Sequence, residues 1–187
     1  MSGQQILMNA MKANKISVKD RKNVDAACVA HYEKRIGDAQ IKELLAKSRE
    51  NVDIEVSWAL GLVTKQLKEV FPQCKIVGMV KNGESVVRMY KRMGIFDYYG
   101  DMIFKDWGVD EFSRYCFIWN SFNDYMQVDE WLRYEDMTPE KISEIVERKV
   151  SFKVNGMVEL EFPKFDEGEV RVFEKICGKM MRRFEYV

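Results

Sequence analysis

The chain's only histidine, His31, stands three residues after Cys28 in a stretch with a helical pattern. Residues three apart on a helix lie on one face, so this pair could supply half of a metal site or a Cys-His catalytic pair. The sequence offers no second half, because Cys74, Cys116 and Cys177 are far apart and no Cys-x-x-Cys motif occurs. We therefore expect no metal cofactor, a packed helix face at Cys28 and His31, and four reduced, mostly buried thiols.

A loose acidic series follows in the middle of the chain, formed by Asp97, Asp101, Asp106, Asp110 and Glu111. Carboxylates that converge in space can hold magnesium for a nuclease reaction. A charge series in a sequence is more often a solvated edge, so a metal-dependent nuclease is the third of our hypotheses. Magnesium-dependent cleavage that is lost on substitution of Asp101 or Asp106 would support it.

Composition and charge limit the classes of partner. Hydrophobic residues make up 47% of the 187 residues, which predicts a folded globule with a well-buried core. The 30 basic residues cancel the 30 acidic ones, so the chain has no overall field that gathers nucleic acid or anionic lipid. We expect no nucleic-acid partner, although a local basic patch stays open. No apolar run reaches the length of a membrane span and no secretory leader is visible, which predicts a cytoplasmic protein, viral or cellular.

The elements that must position these residues begin with helices in residues 1–50. Ser17 can cap a helix that Gly37 ends, and Asp38 can cap the next helix. The first of these helices carries Ala26, Ala27, Ala30 and Ile36, and in the second Ile41, Leu44 and Leu45 are predicted to face inward.

The hydrophobic period changes from helical to alternating after residue 53. Residues 54–60 alternate between apolar and other side chains, which predicts a strand that Gly61 ends. Residues 62–71 return to helical spacing before Pro72, and residues 75–80 form a short apolar run typical of a buried strand. A strand, a helix and a strand with short links predict two parallel neighbours joined by a right-handed crossover.

The Asn82-Gly83 dipeptide is open to two interpretations. Asn-Gly between apolar runs is typical of a hairpin turn, here between residues 75–81 and 84–90. Helical spacing of apolar residues, a capping residue and a stop residue favour a helix instead. The apolar residues are Val86, Tyr90 and Met93, the capping residue is Ser85, and the stop residue is Gly94. We predict the helix.

The last part of the central segment and the C-terminal half complete the predicted α+β fold. Residues 98–107 indicate a strand, and the aromatic-rich residues 112–126 a buried helix or an interface. Thr138-Pro139-Glu140 is a helix start, with Ile142, Ile145 and Val146 on its inner face. Residues 150–162 indicate a hairpin with a three-residue loop, because that register places all its apolar residues on one face. A final helix is predicted at 169–184, with Val172, Phe173, Ile176, Met180 and Phe184 inward.

The simplest organisation is a single domain over residues 1–187. Its parts are a helical N-terminal third, a central β-α-β-α-β segment at 53–107, and helices around the hairpin in 109–187. No internal repeat, low-complexity tract or linker divides the chain.

Part of the central segment resembles a known family. Asn82 precedes a helix that closes in Tyr90-x-x-x-Gly94-Ile95, and an aromatic-rich strand follows. This order resembles the acyl-CoA end of the GNAT N-acetyltransferases over residues 53–107. The resemblance implies that acetyl-CoA binds in a wedge between two splayed parallel strands, at 53–60 and 75–80.

The resemblance also implies which residues bind the cofactor. Main-chain groups of the first strand would pair with pantetheine, and the turn that begins at Gly61 would hold the pyrophosphate at a helix N-terminus. This turn keeps one glycine of the family's phosphate loop, and bulky Trp58 and Leu60 precede it. The implied cofactor-binding residues are Trp58, Leu60, Gly61, Leu62, Val63, Thr64 and Asn82.

Two residues would carry the chemistry that the resemblance implies. An amine attacks the thioester carbonyl directly, and Tyr90 matches the tyrosine that protonates the departing thiolate. Glu55, on the first strand, is the candidate base that would make the attacking amine neutral. The other interpretation of Glu55 is an ordinary outward-facing strand carboxylate.

The leading alternative is a non-catalytic protein-binding or structural protein with a similar fold. It could be a component of a viral particle or an inhibitor directed at a host protein. Large aromatic side chains dominate interface hot spots, and the candidates are Trp119, Tyr125, Trp131 and Tyr134. The competing interpretation, which we prefer for these four residues, is that they belong to the core.

Overall fold

A computed structural model of the chain describes residues 18–19, 22–47, 54–57, 59–93, 109–150 and 162–187. The described strands are β1 (Val18–Lys19), β2 (Ile54–Glu55), β3 (Val77–Val80) and β4 (Glu130–Arg133). The described α-helices are α1 (Lys22–Tyr32), α2 (Asp38–Lys47), α3 (Thr64–Val70), α4 (Gly83–Met93), α5 (Glu111–Tyr125), α6 (Pro139–Val146) and α7 (Glu167–Arg183). Two 3₁₀ helices cover Ala59–Val63 and Tyr134–Asp136. This mixture of helices and strands confirms the predicted α+β class.

Several predicted features lie outside the described residues. They are the Ser17 cap, Trp58, the Gly94 stop, the strand at 98–107, most of the hairpin at 150–162, and Asp97, Asp101 and Asp106.

The chain divides into two compact units. Unit 1 comprises Met1–Gly78 and Gln127–Val158, and unit 2 comprises Met79–Met126 and Glu159–Val187. The single-domain interpretation stays a prediction, because two compact units can belong to one domain or to two.

Helices α1, α2 and α3 form the helical part of unit 1 with the 3₁₀ helix Ala59–Val63. Helix α1 packs against α2 and this 3₁₀ helix, and α2 packs against α3. The most completely buried side chains of this part are Cys28, Val29, Ile41, Leu45, Leu62 and Val63. The predicted inward position of Leu44 is wrong, since this side chain is 44% exposed while Ile41 and Leu45 face the core.

The N-terminal helix boundaries also differ from the prediction. Helix α1 ends at Tyr32 rather than at Gly37, because Lys34 adopts a left-handed conformation with φ 59°. Asp38 is the first residue of α2 and not its cap; the Gly37 carbonyl accepts the first helical hydrogen bond, from Ile41 N. In α1, Ala30 is buried and Ala26 is exposed.

The predicted strand at 54–60 is correct only for β2. Strand β2 pairs in parallel with β1, with Val18 opposite Ile54 and Lys19 opposite Glu55. Residues 59–63 form a 3₁₀ helix because the Ser57 hydroxyl oxygen accepts hydrogen bonds from Ala59 N at 3.1 Å and Leu60 N at 3.3 Å. This serine acts as a helix-type cap and ends the extended backbone.

The expected parallel pairing of the strands at 53–60 and 75–80 is wrong for the described residues. Strand β2 belongs to a sheet with β1, and β3 belongs to a separate two-stranded sheet with β4. Strand β4, whose residue Leu132 is buried, was not predicted from the sequence.

Asp129 joins β4 to the residues that lead into β3. Its carboxylate accepts a hydrogen bond from Ile76 N and pairs with Lys68 Nζ, both at 2.7 Å. The Ile76 carbonyl accepts in return from Asp129 N at 2.9 Å. Within the two strands, the ring of Trp131 in β4 lies against Gly78 of β3. A Cβ atom at position 78 would lie 2.7 Å from that ring.

Helices α4, α5 and α7 pack against one another in unit 2. Their shared core contains Val87, Tyr115, Cys116, Trp119, Phe173, Cys177, Met180 and Phe184. The hydroxyl of Tyr186, just after α7, donates to the Val80 carbonyl at 3.3 Å and so ties the chain end to the end of β3.

The helix predicted after Asn82 is confirmed, but its cap and inner face are not as predicted. The cap is Asn82, whose Oδ1 accepts from Ser85 N at 3.1 Å, and not Ser85 itself. Val87 is fully buried, whereas Met93 is 63% exposed.

Three further helix predictions are confirmed, with small shifts of boundary. Helix α5 covers the aromatic segment and begins behind the cap Asp110. Helix α6 starts with Thr138 as its cap and Pro139 in its first turn. Helix α7 begins at Glu167, two residues earlier than predicted, because Asp166 forms a capping box with Glu169.

We predict that Gly83→Ala destabilises the protein by about 1–3 kcal/mol, because the new Cβ would overpack the core. It would lie 2.9 Å from three atoms of the Trp119 ring. The matched variant is Gly178→Ala on α7 of the same unit, where the nearest atom, Arg182 Nη1, is at an ordinary 3.5 Å. Gly178→Ala should therefore stabilise by about 0.5–1 kcal/mol, since glycine is unfavourable inside a helix. Urea unfolding of both variants measures the two signs, and equal signs would contradict this packing.

Candidate functional site

The residues that the resemblance assigns to acetyl-CoA divide between the two units. Glu55, Leu60 and residues 61–64 belong to unit 1, and Asn82 and Tyr90 belong to unit 2. Trp58 lies outside the described residues. Each group is therefore described within its own unit.

The turn expected to hold the pyrophosphate is a buried 3₁₀ helix that runs into α3. Gly61, Leu62 and Val63 are buried, and Leu60 is partly buried. Thr64 is only 3% exposed, and its hydroxyl oxygen accepts a hydrogen bond from Gln127 N at 3.0 Å. The Thr64 hydroxyl is thus already engaged inside unit 1.

The amide groups at the start of this turn are also engaged. Ala59 N and Leu60 N both donate to the Ser57 hydroxyl oxygen. That hydroxyl donates in turn to Asp25 Oδ1 at 2.5 Å, which links the turn to α1. Glu55 stands before it in β2, opposite Lys19 of β1, and its role as a base stays a prediction.

Asn82 serves the start of α4. Its Oδ1 accepts from Ser85 N, and its carbonyl accepts from Val86 N at 3.1 Å. Trp119 Nε1 donates to the neighbouring Lys81 carbonyl at 3.1 Å. The side-chain oxygen that the resemblance would direct to a cofactor therefore satisfies one of the unpaired amides of a helix end.

Tyr90 lies on α4 with its ring against Tyr115 of α5, at a centroid distance of 6.1 Å. Tyr90 keeps some accessible surface, but enough protein surrounds it that burial raises its pKa to about 12. Its hydroxyl is therefore protonated at neutral pH. The neighbouring Tyr115 hydroxyl donates to Glu111 Oε1 at 2.7 Å, and burial and this carboxylate raise its pKa as well.

The face with Cys28 and His31 carries a polar cluster that the sequence analysis missed. His31 Nε2 lies 2.7 Å from Asp38 Oδ1, and Gln66 Nε2 donates to the same oxygen at 3.2 Å. These hydrogen bonds, His31 first and then Gln66, lower the pKa of Asp38. An ionised Asp38 can only accept, so Nε2 carries the hydrogen. The short link between α1 and α2 was the available signal, because it brings residue 38 back beside residue 31.

The other described atoms around this histidine are a buried ring nitrogen and a buried thiol. His31 Nδ1 is buried and has no hydrogen-bond partner among the described residues. Cys28, three residues earlier, is fully buried. No group of three or more His, Cys, Asp or Glu side chains in the described part of the chain could hold a metal ion.

The two described members of the acidic series have structural roles. Asp110 accepts hydrogen bonds from the amide and the hydroxyl of Ser113 as the cap of α5, which lowers its pKa. Glu111 accepts from Tyr115 in the first turn of the same helix. The nuclease hypothesis thus depends on residues outside the described part and stays a prediction.

The four cysteines are free thiols, as predicted. Cys28, Cys116 and Cys177 are fully buried, and Cys74 is partly buried. Cys177 Sγ lies 3.5 Å from the Cys116 carbonyl oxygen, so α5 and α7 meet at these two residues. The hydrogen bond with Cys116 and burial both raise the pKa of the Cys177 thiol.

The aromatic residues proposed as binding anchors mostly belong to the core. Trp119 and Tyr134 are buried, and Trp131 packs on Gly78. Tyr125, at the end of α5, is 49% exposed and is the one member of this group that offers much of its ring to a partner.

Comparison of the chain with protein-family models, with curated proteins and with solved structures gives no match. Among the described helices, none has both the length and the apolar character needed to cross a membrane.

We predict that Asp38 makes stability depend on acid. Its pKa is lower in the folded than in the unfolded chain, where it is about 3.9, so its ionised form stabilises the fold above about pH 4. This contribution should be lost as the pH falls below that value. Parent and Asp38→Asn should therefore differ in unfolding free energy at neutral pH and converge in acid, as measured by urea unfolding.

The control for Asp38 is Glu174→Gln. Glu174 is exposed in the middle of α7, away from both helix ends, and its side chain makes no ion pair or hydrogen bond with described residues, so this variant should follow the parent at every pH. A gap between parent and Asp38→Asn that does not change with pH would contradict the assigned role of Asp38.

We also predict that Ellman's reagent modifies Cys74 first in the native protein, and slowly, because burial raises the pKa of its thiol. Cys28, Cys116 and Cys177 should react only as the protein unfolds, since they are fully buried. Cys74→Ser should abolish the native reaction and leave the reaction of the unfolded chain with three thiols. A native reaction that survives in Cys74→Ser would show that one of the buried thiols is accessible.

Proposed function

We propose that this chain is a non-catalytic protein that acts by binding another protein, and that its GNAT-like residues maintain the fold. The observation that carries the proposal is the cap formed by Asn82, whose side-chain oxygen accepts from Ser85 N at 3.1 Å. The most specific polar residue of the resemblance thus has a structural task that accounts for its position.

The residues of unit 1 support the same proposal. The amides at the start of the 3₁₀ helix Ala59–Val63 donate to Ser57, and the Thr64 hydroxyl accepts from Gln127 N. A phosphate group binds best where helix N-terminal amides are unpaired. Internal hydrogen bonds at this turn make it a packed junction, which suits a scaffold better than an acetyl-CoA site.

The proposed protein works in the cytoplasm of a cell or an infected host, or as part of a viral particle. A chain with equal numbers of acidic and basic residues recognises its partner through local surfaces rather than through its overall field. This property favours a protein as partner over nucleic acid.

The second candidate function is an N-acetyltransferase that moves an acetyl group from acetyl-CoA to an amine. One observation favours it: Tyr90, the residue that matches the family's acid, keeps some accessible surface on α4, although burial raises its pKa to about 12 and so makes it a weaker acid. A general acid must carry its proton at neutral pH, and Tyr90 meets that condition. In this reaction the amine nitrogen bonds to the thioester carbonyl carbon, the carbon–sulfur bond breaks, and the thiolate takes the Tyr90 proton. The nitrogen releases its surplus proton to water, and the Tyr90 oxygen regains a proton from water, so the enzyme returns to its starting state.

Calorimetric titration with acetyl-CoA separates the two functions. We predict no binding up to about 1 mM, a concentration at which even a weak cofactor site would be largely occupied. Micromolar binding would overturn the non-catalytic proposal and establish a cofactor site.

Two matched variants identify the acid if binding occurs. Tyr90→Phe should then bind acetyl-CoA about as well as the parent but lose turnover, because it removes only the hydroxyl. Tyr125→Phe removes an exposed tyrosine hydroxyl of the same unit and should change neither quantity. Equal turnover in both variants would show that Tyr90 is not the acid.

A further inference from the structure

Helix α7 carries a row of exposed positive charges along one face. Arg171, Lys175, Lys179 and Arg182 are all exposed and recur at intervals of four, four and three residues. This spacing places them on one side of the helix, and we name them the basic stripe. The opposite side of α7 is buried in unit 2 through Phe173, Cys177, Met180 and Phe184.

The charges of the basic stripe are largely uncompensated. The side chains of Lys175, Lys179 and Arg182 make no ion pair or hydrogen bond with described residues. Arg171 Nε donates to the Glu167 carbonyl at 3.2 Å, but its Nη2 lies 3.8 Å from the Glu167 carboxylate, and both of these side chains are highly exposed. Exposed ion pairs of this kind contribute little, so the stripe retains nearly its full positive charge.

Helix α6 of unit 1 carries the complementary pattern. Glu140 and Glu144 lie four residues apart on the exposed face of the helix, and Glu147 follows directly after the helix in a left-handed conformation; we name these three exposed carboxylates the acidic stripe. Glu144 shares Lys141 at 3.2 Å but remains 72% exposed. Glu140 and Glu147 make no side-chain ion pair or hydrogen bond with described residues.

Glu140 and Glu144 match the four-residue repeat of the basic stripe and carry the opposite sign. A helix rises about 1.5 Å per residue, so charges four residues apart repeat at about 6 Å on both helices. An acidic helix laid along a basic one can therefore meet it charge by charge.

We propose that the basic stripe of one molecule binds the acidic stripe of a second copy of this chain. The inference rests on the proposed function, because it names the partner that the binding protein takes. The zero net charge favours a second copy, since each molecule supplies both signs. A nucleic acid would instead meet Glu167 and Glu174, two exposed carboxylates that border the stripe on the same helix.

The symmetry of the assembly follows from how the stripes meet. A two-fold arrangement pairs both stripes of each molecule and closes a dimer, whereas a head-to-tail arrangement extends a chain of copies. Both arrangements are weak and sensitive to salt, because surface charges are strongly screened.

Sedimentation velocity at low ionic strength tests the first consequence. The weight-average sedimentation coefficient of the parent should rise with protein concentration. The association constant should fall about tenfold or more between roughly 0.05 M and roughly 0.5 M salt. A parent that stays monomeric at about 1 mM protein in low salt would overturn the proposal.

A charge swap tests which surfaces meet. Lys175→Glu with Lys179→Glu makes both stripes acidic, and Glu140→Lys with Glu147→Lys makes both basic. Each double variant alone should be monomeric, and an equal mixture of the two should associate again. All four positions are exposed, so circular dichroism and urea unfolding should show both variants to be folded.

The matched control is Lys65→Glu with Lys164→Glu. These exposed lysines lie outside both stripes, and their replacement changes the net charge as much as the α7 variant does. The control should self-associate like the parent. A control that loses association with the α7 variant would show a net-charge effect and overturn the assigned surfaces.

Other outcomes also decide the question. A mixture of the two swapped variants that stays monomeric would overturn the pairing. Binding of a short DNA duplex that Lys175→Glu with Lys179→Glu removes, in a parent without self-association, would assign the stripe to phosphate and overturn it too. Micromolar acetyl-CoA binding beside intact self-association would end the non-catalytic proposal and leave the second copy as a partner.

Discussion

The first turn of helix α4 is the constraint on which unit 2 depends. Asn82 caps the helix, Lys81 accepts the indole N–H of Trp119, and Gly83 lies against the face of the same indole. A side chain at position 83 would collide with that ring, so only glycine allows α4 and α5 to approach this closely. Helix α4 packs against both α5 and α7 in unit 2, so this approach helps to fix its place there.

The same principle explains why residues that look functional serve the structure. Ser57, Thr64 and Asp38 each satisfy hydrogen bonds that the backbone or a neighbouring side chain would otherwise lack. A buried polar group without a partner costs free energy. These polar side chains therefore form hydrogen bonds inside the fold. The exposed charges of the basic and acidic stripes lie on the surfaces of α7 and α6, and not at the turn predicted to bind the cofactor.

Local signals in the sequence predicted the parts of the fold that local interactions determine. Thr138-Pro139 gave the start of α6 correctly, because a cap and a proline act within one turn. The alternation at 54–60 predicted too long a strand, since Ser57 can cap a helical turn and the pattern of apolar residues does not register this. Strand β4 was missed because its pairing with β3 joins residues about fifty positions apart, and no local pattern encodes such a partner.

The candidate site, too, could be predicted from the sequence only in part. Asn82 and Tyr90 were predicted from the sequence to be site residues. An asparagine just before a helix can be a cap or a cofactor contact, and the sequence pattern is the same for both roles. The pair of His31 and Asp38 was missed, because Asp38 was read only as a cap for the helix that it begins. The stripes on α6 and α7 were not predicted from the total charge, because a net charge of zero does not show which face of a helix carries each sign.

The most direct test of the central claim is the unfolding free energy of two variants at Asn82. If Asn82 is above all a cap, Asn82→Asp should keep the parent's stability, because aspartate caps equally well. Asn82→Ala should lose about 1 kcal/mol, because Ser85 N then has no acceptor. Unchanged stability in both variants would contradict the account and return Asn82 to the role of a cofactor-binding residue.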